Sequence, residues 1–236
     1  MEPTDTEPKQ LHDEAVAIGT SGRWDAVNRV MHEMAEDPKR RGVWSLRVHA
    51  PLCTAIFSEY LALRKAFDAG KEDDLSLLAW HARNLLEFSV WASYCAASDE
   101  NTGRFYADAG RDGLDLLRSL GNWGEKRDDD PEWAAQFAVA KGALVASAEE
   151  KGLGSLDDPY VKVRDAAKEC GLQEHFAVTY KFLSKFAHPT ALVLLGNLDS
   201  KKQQVREAIY GTGCVCFAGA FSATEPCFIL RPTEST

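Results

Sequence analysis

Residues 75–97 read LSLLAWHARNLLEFSVWASYCAA. At about 100° per residue the apolar side chains fall on nearly every face, the pattern of a helix buried around most of its circumference. Inside that apolar cylinder Arg83 and Glu87 stand four apart, on one face with Trp80, Trp91 and Tyr94. On an open surface such an i,i+4 ion pair contributes only about 0.3–0.5 kcal/mol. Between two tryptophans and a tyrosine, the guanidinium and carboxylate must satisfy each other or a partner, because lone enclosed charges are costly. The pair is therefore either a structural clamp or a site.

Helical spacing continues on both sides of this segment. Upstream, the pattern predicts a helix over about 23–36, stopped by the DPKRRG turn at 37–42. Another follows over about 51–69, where Leu52, Ile56, Tyr60, Leu63 and Phe67 recur at three- and four-residue steps. Asp73 and Asp74 precede the central helix. Downstream, a helix is expected over about 102–120, and GNWGEKRDDD at 121–130 reads as a loop and the best hinge. Asp130-Pro131-Glu132 is a start signal: an acid at the N-cap, proline first, an acid in the first turn. Asp158-Pro159 repeats the device after Gly152 and Gly154 have closed the preceding helix, so short helices are expected over 159–170 and 173–188. The uncharged stretch AIYGTGCVCFAGAFSA (208–223) reads as a central buried helix whose small residues allow close backbone approach, a candidate for a subunit contact. Only 227–230 is a candidate scrap of strand. The expected fold class is all-α, a helical bundle without substantial sheet. Residues 1–48 form an N-terminal tail and helix, 49–226 the bundle and 227–236 a C-terminal tail.

Composition narrows the function. The chain has 236 residues, 45% hydrophobic and 10% aromatic, enough for a substantial core and against disorder. With 36 acidic and 27 basic side chains the net charge is −9, which weighs against a general nucleic-acid coat, and no DNA partner is expected. No run reaches the roughly 18 apolar residues of a spanning helix; the nearest, 208–223, is dominated by small residues, so membrane insertion is only its second reading and no membrane is expected. Three of the six cysteines lie within apolar helical patterns and the first segment is acidic, which favours a reducing cytoplasm over a disulfide framework. Cys214 and Cys216 form the only close pair; with no nearby histidine, small buried hydrophobes is the better reading than a metal site. No P-loop, dinucleotide fingerprint, HExxH or nucleophile elbow occurs, and no cofactor or metal is expected.

A second polar strip lies on QEHFAVTYKFLSKFAH (173–188). Phe176, Phe182, Leu183 and Phe186 form an apolar arc. Tyr180, Ser184 and His188 follow at four-residue steps along its edge, with Lys181 and Lys185 just beyond on the more solvated side. Pro189 disfavours α conformation for His188, so the helix should end there. An imidazole in that position faces the negative end of the macrodipole and can bind an anion or cycle protons. It can equally cap its own helix, and the hydroxyl ridge can equally be an amphipathic boundary. His81 and His175 read as candidate satisfied core residues.

The Arg-Asn-Leu-Leu-Glu segment at 83–87, followed by Tyr-x-x-x-Ser-x-x-x-His-Pro-Thr at 180–190, resembles a broad group of prokaryotic all-α proteins of unassigned function. Those in turn are similar to the HEPN helical domains. The likeness covers about 50–195. It implies a helical bundle, commonly a dimer, and in many HEPN members a metal-independent ribonuclease of toxin–antitoxin or phage-defence systems; other members are inactive binding or scaffold versions. The active motif is an arginine, a polar residue, a short spacer and a histidine. His188 matches the histidine, while Lys181 stands where arginine is usual and Phe182 where a polar residue is usual. Lysine offers a point charge, not a rigid fork, so Arg83 on the other helix is the alternative source of a guanidinium. On this reading Arg83 and Lys181 hold phosphate, His188 is general acid or base, Glu87 orients Arg83, and Tyr180, Ser184 and Lys185 assist binding. RNA or a small anion is the expected partner, and a homo-oligomer the expected state. The competing expectation is a non-catalytic dimerisation or partner-binding module in which the same residues form a polar lock.

Overall fold

The computed structural model describes residues 13, 17–18, 22–37, 44–70, 75–125, 131–188, 190, 192–193, 196 and 201–229, and every regular element among them is helical. The order is α1 (Arg23–Glu36), α2 (Ala50–Asp68), α3 (Leu75–Ala97), α4 (Asp99–Glu125), α5 (Pro131–Glu150), α6 (Val163–Glu169), α7 (Gln173–Ala187), α8 (Lys202–Thr224) and the single turn α9 (Pro226–Ile229). A wider-pitched turn, Ser45–His49, leads into α2. Contacts divide the chain into two compact units: Met1–Ala97 with Val163–Thr236, and Ser98–Lys162.

The first unit is built around α3, which packs against α8 most extensively and against α7, α2 and α6. The apolar all-round pattern of α3 is the consequence: Leu78, Ala79, Ala82, Leu85, Leu86, Val90 and Tyr94 are all buried. The small residues of α8 permit the approach. A Cβ on Gly213 would run into Leu63 Cδ2 and lie 3.3 Å from Ala82 Cβ, so glycine is what lets α8 seat against α2 and α3 at once. On either side of this close point, aromatic pairs tie α2 to α8: Tyr60 stacks on Phe217 and Phe67 on Tyr210, each with centroids 3.9 Å apart. Arg23 of α1 forks onto Glu225, its Nε 3.0 Å from Oε1, fastening α1 beyond the end of α8. Buried Arg206 donates to the Phe67 carbonyl at the end of α2.

The second unit is the α4–α5 pair and its return strand of irregular chain. Leu114, Ala148 and Leu156 form its small core, flanked by Leu144, Val145 and Leu153. α5 closes with Gly152 at φ +65°, where the Gly152 and Leu153 amides return to the Glu149 and Ala148 carbonyls.

Three local expectations are corrected. Residues 121–125, expected as the start of a loop, are the last turn of α4, which continues through Glu125, and 126–130 lie outside the described residues. No proline interrupts the hydrogen-bond ladder, and half-buried Gly121 and exposed Asn122 weaken it without breaking it. The units divide instead at Ser98 and Lys162, within the 49–226 stretch. The Asp158-Pro159 signal starts no helix, and α6 begins only at Val163. Buried Asp108 explains this: its Oδ2 accepts the Val161 amide at 3.0 Å while Oδ1 accepts from Arg111 at 2.7 Å, holding the segment in an irregular path. The strand scrap at 227–230 is helical through Ile229, continuing α8 after the Glu225 amide bonds the Phe221 carbonyl at 2.8 Å. The 1–10 tail, residues 38–42, Asp73, Asp74, Asp130, Pro189 and Leu230 lie outside the described residues. Among the described residues no helix is long and apolar enough to cross a membrane.

Candidate functional site

α7 ends at Ala187, and His188 adopts an extended backbone (φ −118°, ψ 154°), the conformation a following proline enforces. Thr190 then donates its hydroxyl to the Lys185 carbonyl at 2.8 Å, satisfying one of the carbonyls the helix end leaves open. The His-Pro-Thr sequence thus stops the helix and turns the imidazole off its axis. That imidazole meets Arg83, which α3 presents at its border with α7.

Arg83 is the hub. Its Nε donates to Glu87 Oε1 at 3.2 Å, Nη2 to the Tyr180 hydroxyl at 2.7 Å, and Nη1 lies 2.8 Å from His188 Nε2. The guanidinium also sits over the Tyr180 ring, 4.6 Å from its centroid. Arginine has hydrogens to give and no lone pair, so His188 Nε2 must accept in this arrangement. The imidazole is then the neutral tautomer with its hydrogen on Nδ1. The Arg83 and Glu87 side chains are 19% and 31% exposed, so the pair is shielded without being sealed, and His188 is exposed. A guanidinium, a carboxylate, a phenol and an imidazole from segments about a hundred residues apart form one cluster open to solvent on one side.

Ser184 lies on the same ridge of α7, and its Oγ is buried with no hydrogen-bond partner. Lys181 and Lys185 are exposed on α7 and join neither the cluster nor any ion pair among the described residues. The aromatic face expected around Arg83 is graded: Tyr94 is buried, Trp91 half-buried against it with centroids 6.0 Å apart, and Trp80 47% exposed.

Sequence reasoning missed a second cluster on the opposite edge of α3. Glu59 of α2 accepts on one oxygen, Oε1, from His81 Nδ1 at 2.7 Å and from Asn84 Nδ2 at 2.8 Å. His81 is a partly exposed residue held by a carboxylate, not a core histidine. The i,i+3 spacing of His81 and Asn84 was available in the sequence; nothing in the spacing pointed to Glu59, 22 residues upstream of His81.

The cysteines take no part. All six are free thiols. Burial pushes Cys53, Cys95 and Cys216 up to about 12 and Cys214 to about 11, so they remain protonated and inert. Among the described residues no three metal-ligating side chains gather.

Fold and site together define an all-α protein carrying a half-enclosed Arg–Glu–Tyr–His cluster between two helices. Residues 78–205 match the family of unknown function DUF5677, and the chain belongs to that family. The matched stretch contains Arg83, Glu87, Tyr180 and His188, together with His81 and Asn84; Glu59 precedes it. Neither the curated proteins nor the solved structures hold a significant match.

Proposed function

We propose that the Arg83 cluster is a phosphodiester site and that the protein is a metal-independent ribonuclease of the HEPN-like type. The contact of Arg83 Nη1 with His188 Nε2 at 2.8 Å carries this reading, because it joins a phosphate-binding fork to a proton acceptor at the open side of the cluster. Arg83 supplies in space the guanidinium that the Lys181–His188 spacing lacks in sequence. An arriving phosphate competes for the Nη1 hydrogen, and turning that hydrogen to the phosphate frees His188 Nε2 to take the proton of the ribose 2′-hydroxyl. The 2′-oxygen then attacks phosphorus, the P–O5′ bond breaks, and the 5′-oxygen leaves with a proton from the imidazolium. The products are a 2′,3′-cyclic phosphate and a 5′-hydroxyl. Glu87 and Tyr180 hold the fork in plane. The unpartnered Ser184 hydroxyl gains a partner from the ligand, and Lys181 and Lys185 lie beside the site to attract the RNA backbone. The test is cleavage of mixed-sequence RNA in chelator, with the cyclic phosphate scored. His188→Ala is expected to abolish it; indistinguishable cleavage by wild type and variant would overturn the proposal.

One observation favours a second reading. The fork of Arg83 already reaches Glu87 and Tyr180 and covers the tyrosine ring, which ties α3 to α7 with no ligand present. On that reading the cluster is a polar lock in a non-catalytic, self-associating or partner-binding module.

A further inference from the structure

Within two residues of Arg83, His81 and Asn84 of α3 meet Glu59 of α2 in a common bonding arrangement. Glu59 Oε1 takes both donors, His81 Nδ1–H and one Asn84 Nδ2–H. These bonds fix the tautomer of the imidazole and the orientation of the amide. Three polar atoms then have no partner among the described residues and are not sealed in the interior: Glu59 Oε2, His81 Nε2 and Asn84 Oδ1. All three accept. Beside them stands Trp80, 47% exposed, one helical turn before Asn84 and within about 40° of it around the axis.

An exposed indole next to a row of acceptors is the arrangement that stacks a flat ring and selects its edge for donors. Among the nucleobases guanine alone presents two adjacent donors, N1–H and the N2 amino group, on its Watson–Crick edge. Adenine and cytosine each place an acceptor beside their amino group. We infer that Trp80, Glu59, His81 and Asn84 form a guanine-recognition subsite, Trp80 stacking on the base while Glu59 Oε2 and Asn84 Oδ1 accept from its N1–H and N2–H. The inference deepens the ribonuclease reading, giving it an unpaired guanosine near the scissile phosphate, since a base-paired guanine has its donor edge occupied.

The subsite can be tested without cleavage. Guanosine 5′-monophosphate and adenosine 5′-monophosphate are titrated against the full chain by calorimetry. The guanine nucleotide is expected to bind at least tenfold tighter, with the inosine nucleotide, which lacks the amino group, between them. Glu59→Gln, checked for an unchanged melting temperature, is expected to remove the preference, and Trp80→Ala to weaken all three nucleotides alike. Equal wild-type affinities, needing no variant, would overturn the subsite, as would a preference that survives Glu59→Gln. His188-dependent RNA cleavage with no guanosine preference would overturn the subsite and leave the nuclease. Guanine-selective binding with no cleavage would do the reverse.

Discussion

Arg83 has five hydrogens to place, and three go to Glu87, Tyr180 and His188. Arg83→Ala therefore strips the donor from Glu87, Tyr180 and His188 together. Each such bond to a charged group is worth about 1.5–3 kcal/mol when buried, and partial exposure reduces the sum. We expect a loss of about 2 kcal/mol in urea denaturation; a variant as stable as wild type would remove the polar-lock reading. Ser184 separates structure from ligand in the opposite direction. Its hydroxyl is desolvated and unpaired, so Ser184→Ala is expected to leave stability unchanged or to raise it by up to about 1 kcal/mol. The same variant is expected to raise KM for RNA severalfold; stability and KM both unchanged would take Ser184 out of the site. The Arg83–Glu87 pair was legible in sequence because both residues share one helix and its period. His188 came into view through the proline after it and the family likeness. Glu59 was invisible, since its partners lie on another helix and no periodicity spans a helix–helix contact.

Gly213 and Gly219 look alike in sequence but sit in opposite environments on α8. A methyl group at Gly213 meets Leu63, wholly buried and without room to turn, and crowds Ala82. Gly213→Ala is expected to cost about 1–3 kcal/mol by overpacking. A Cβ at Gly219 would have nothing within 4 Å and would face solvent, so Gly219→Ala is expected to add about 0.5–1 kcal/mol by restoring helix propensity. Thermal denaturation of the two variants should move in opposite directions; equal shifts would refute the close packing of α8 on α2 and α3. Helix positions were legible wherever local rules act alone. α1, α3 and the end of α7 follow apolar period, proline and glycine. The rules failed where a distant side chain decides the backbone, as at Val161, whose amide Asp108 holds. They also failed at Gly121, where weak helix formers read as a break that only a proline would have made.

Charge and thiols distribute unevenly between the two units. Ser98–Lys162 carries fourteen acidic and eight basic side chains, leaving twenty-two against nineteen for the rest, so the net acidity that weighed against RNA sits mostly outside the unit holding the cluster. All six cysteines fall in the other unit, and four of them are held protonated by burial up to about 11 or 12. Burial also raises Tyr60 and Tyr210 between α2 and α8. The unfolded chain releases these thiol protons from its ordinary value of 9.0, whereas the native state keeps them. With more protons bound to the native state, stability must fall as pH rises. The contribution is complete below pH 9 and is lost between pH 9 and about 12. Urea midpoints followed by circular dichroism from pH 8 to 11 should therefore drop with increasing slope, with thiols becoming reactive in step with the loss of helix. Cys216→Ala should flatten that slope, because one titrating group leaves the α8 core. A midpoint that stays level to pH 11 would show that the thiols titrate while folded, and that the packing of α8 against α3 does not exclude water.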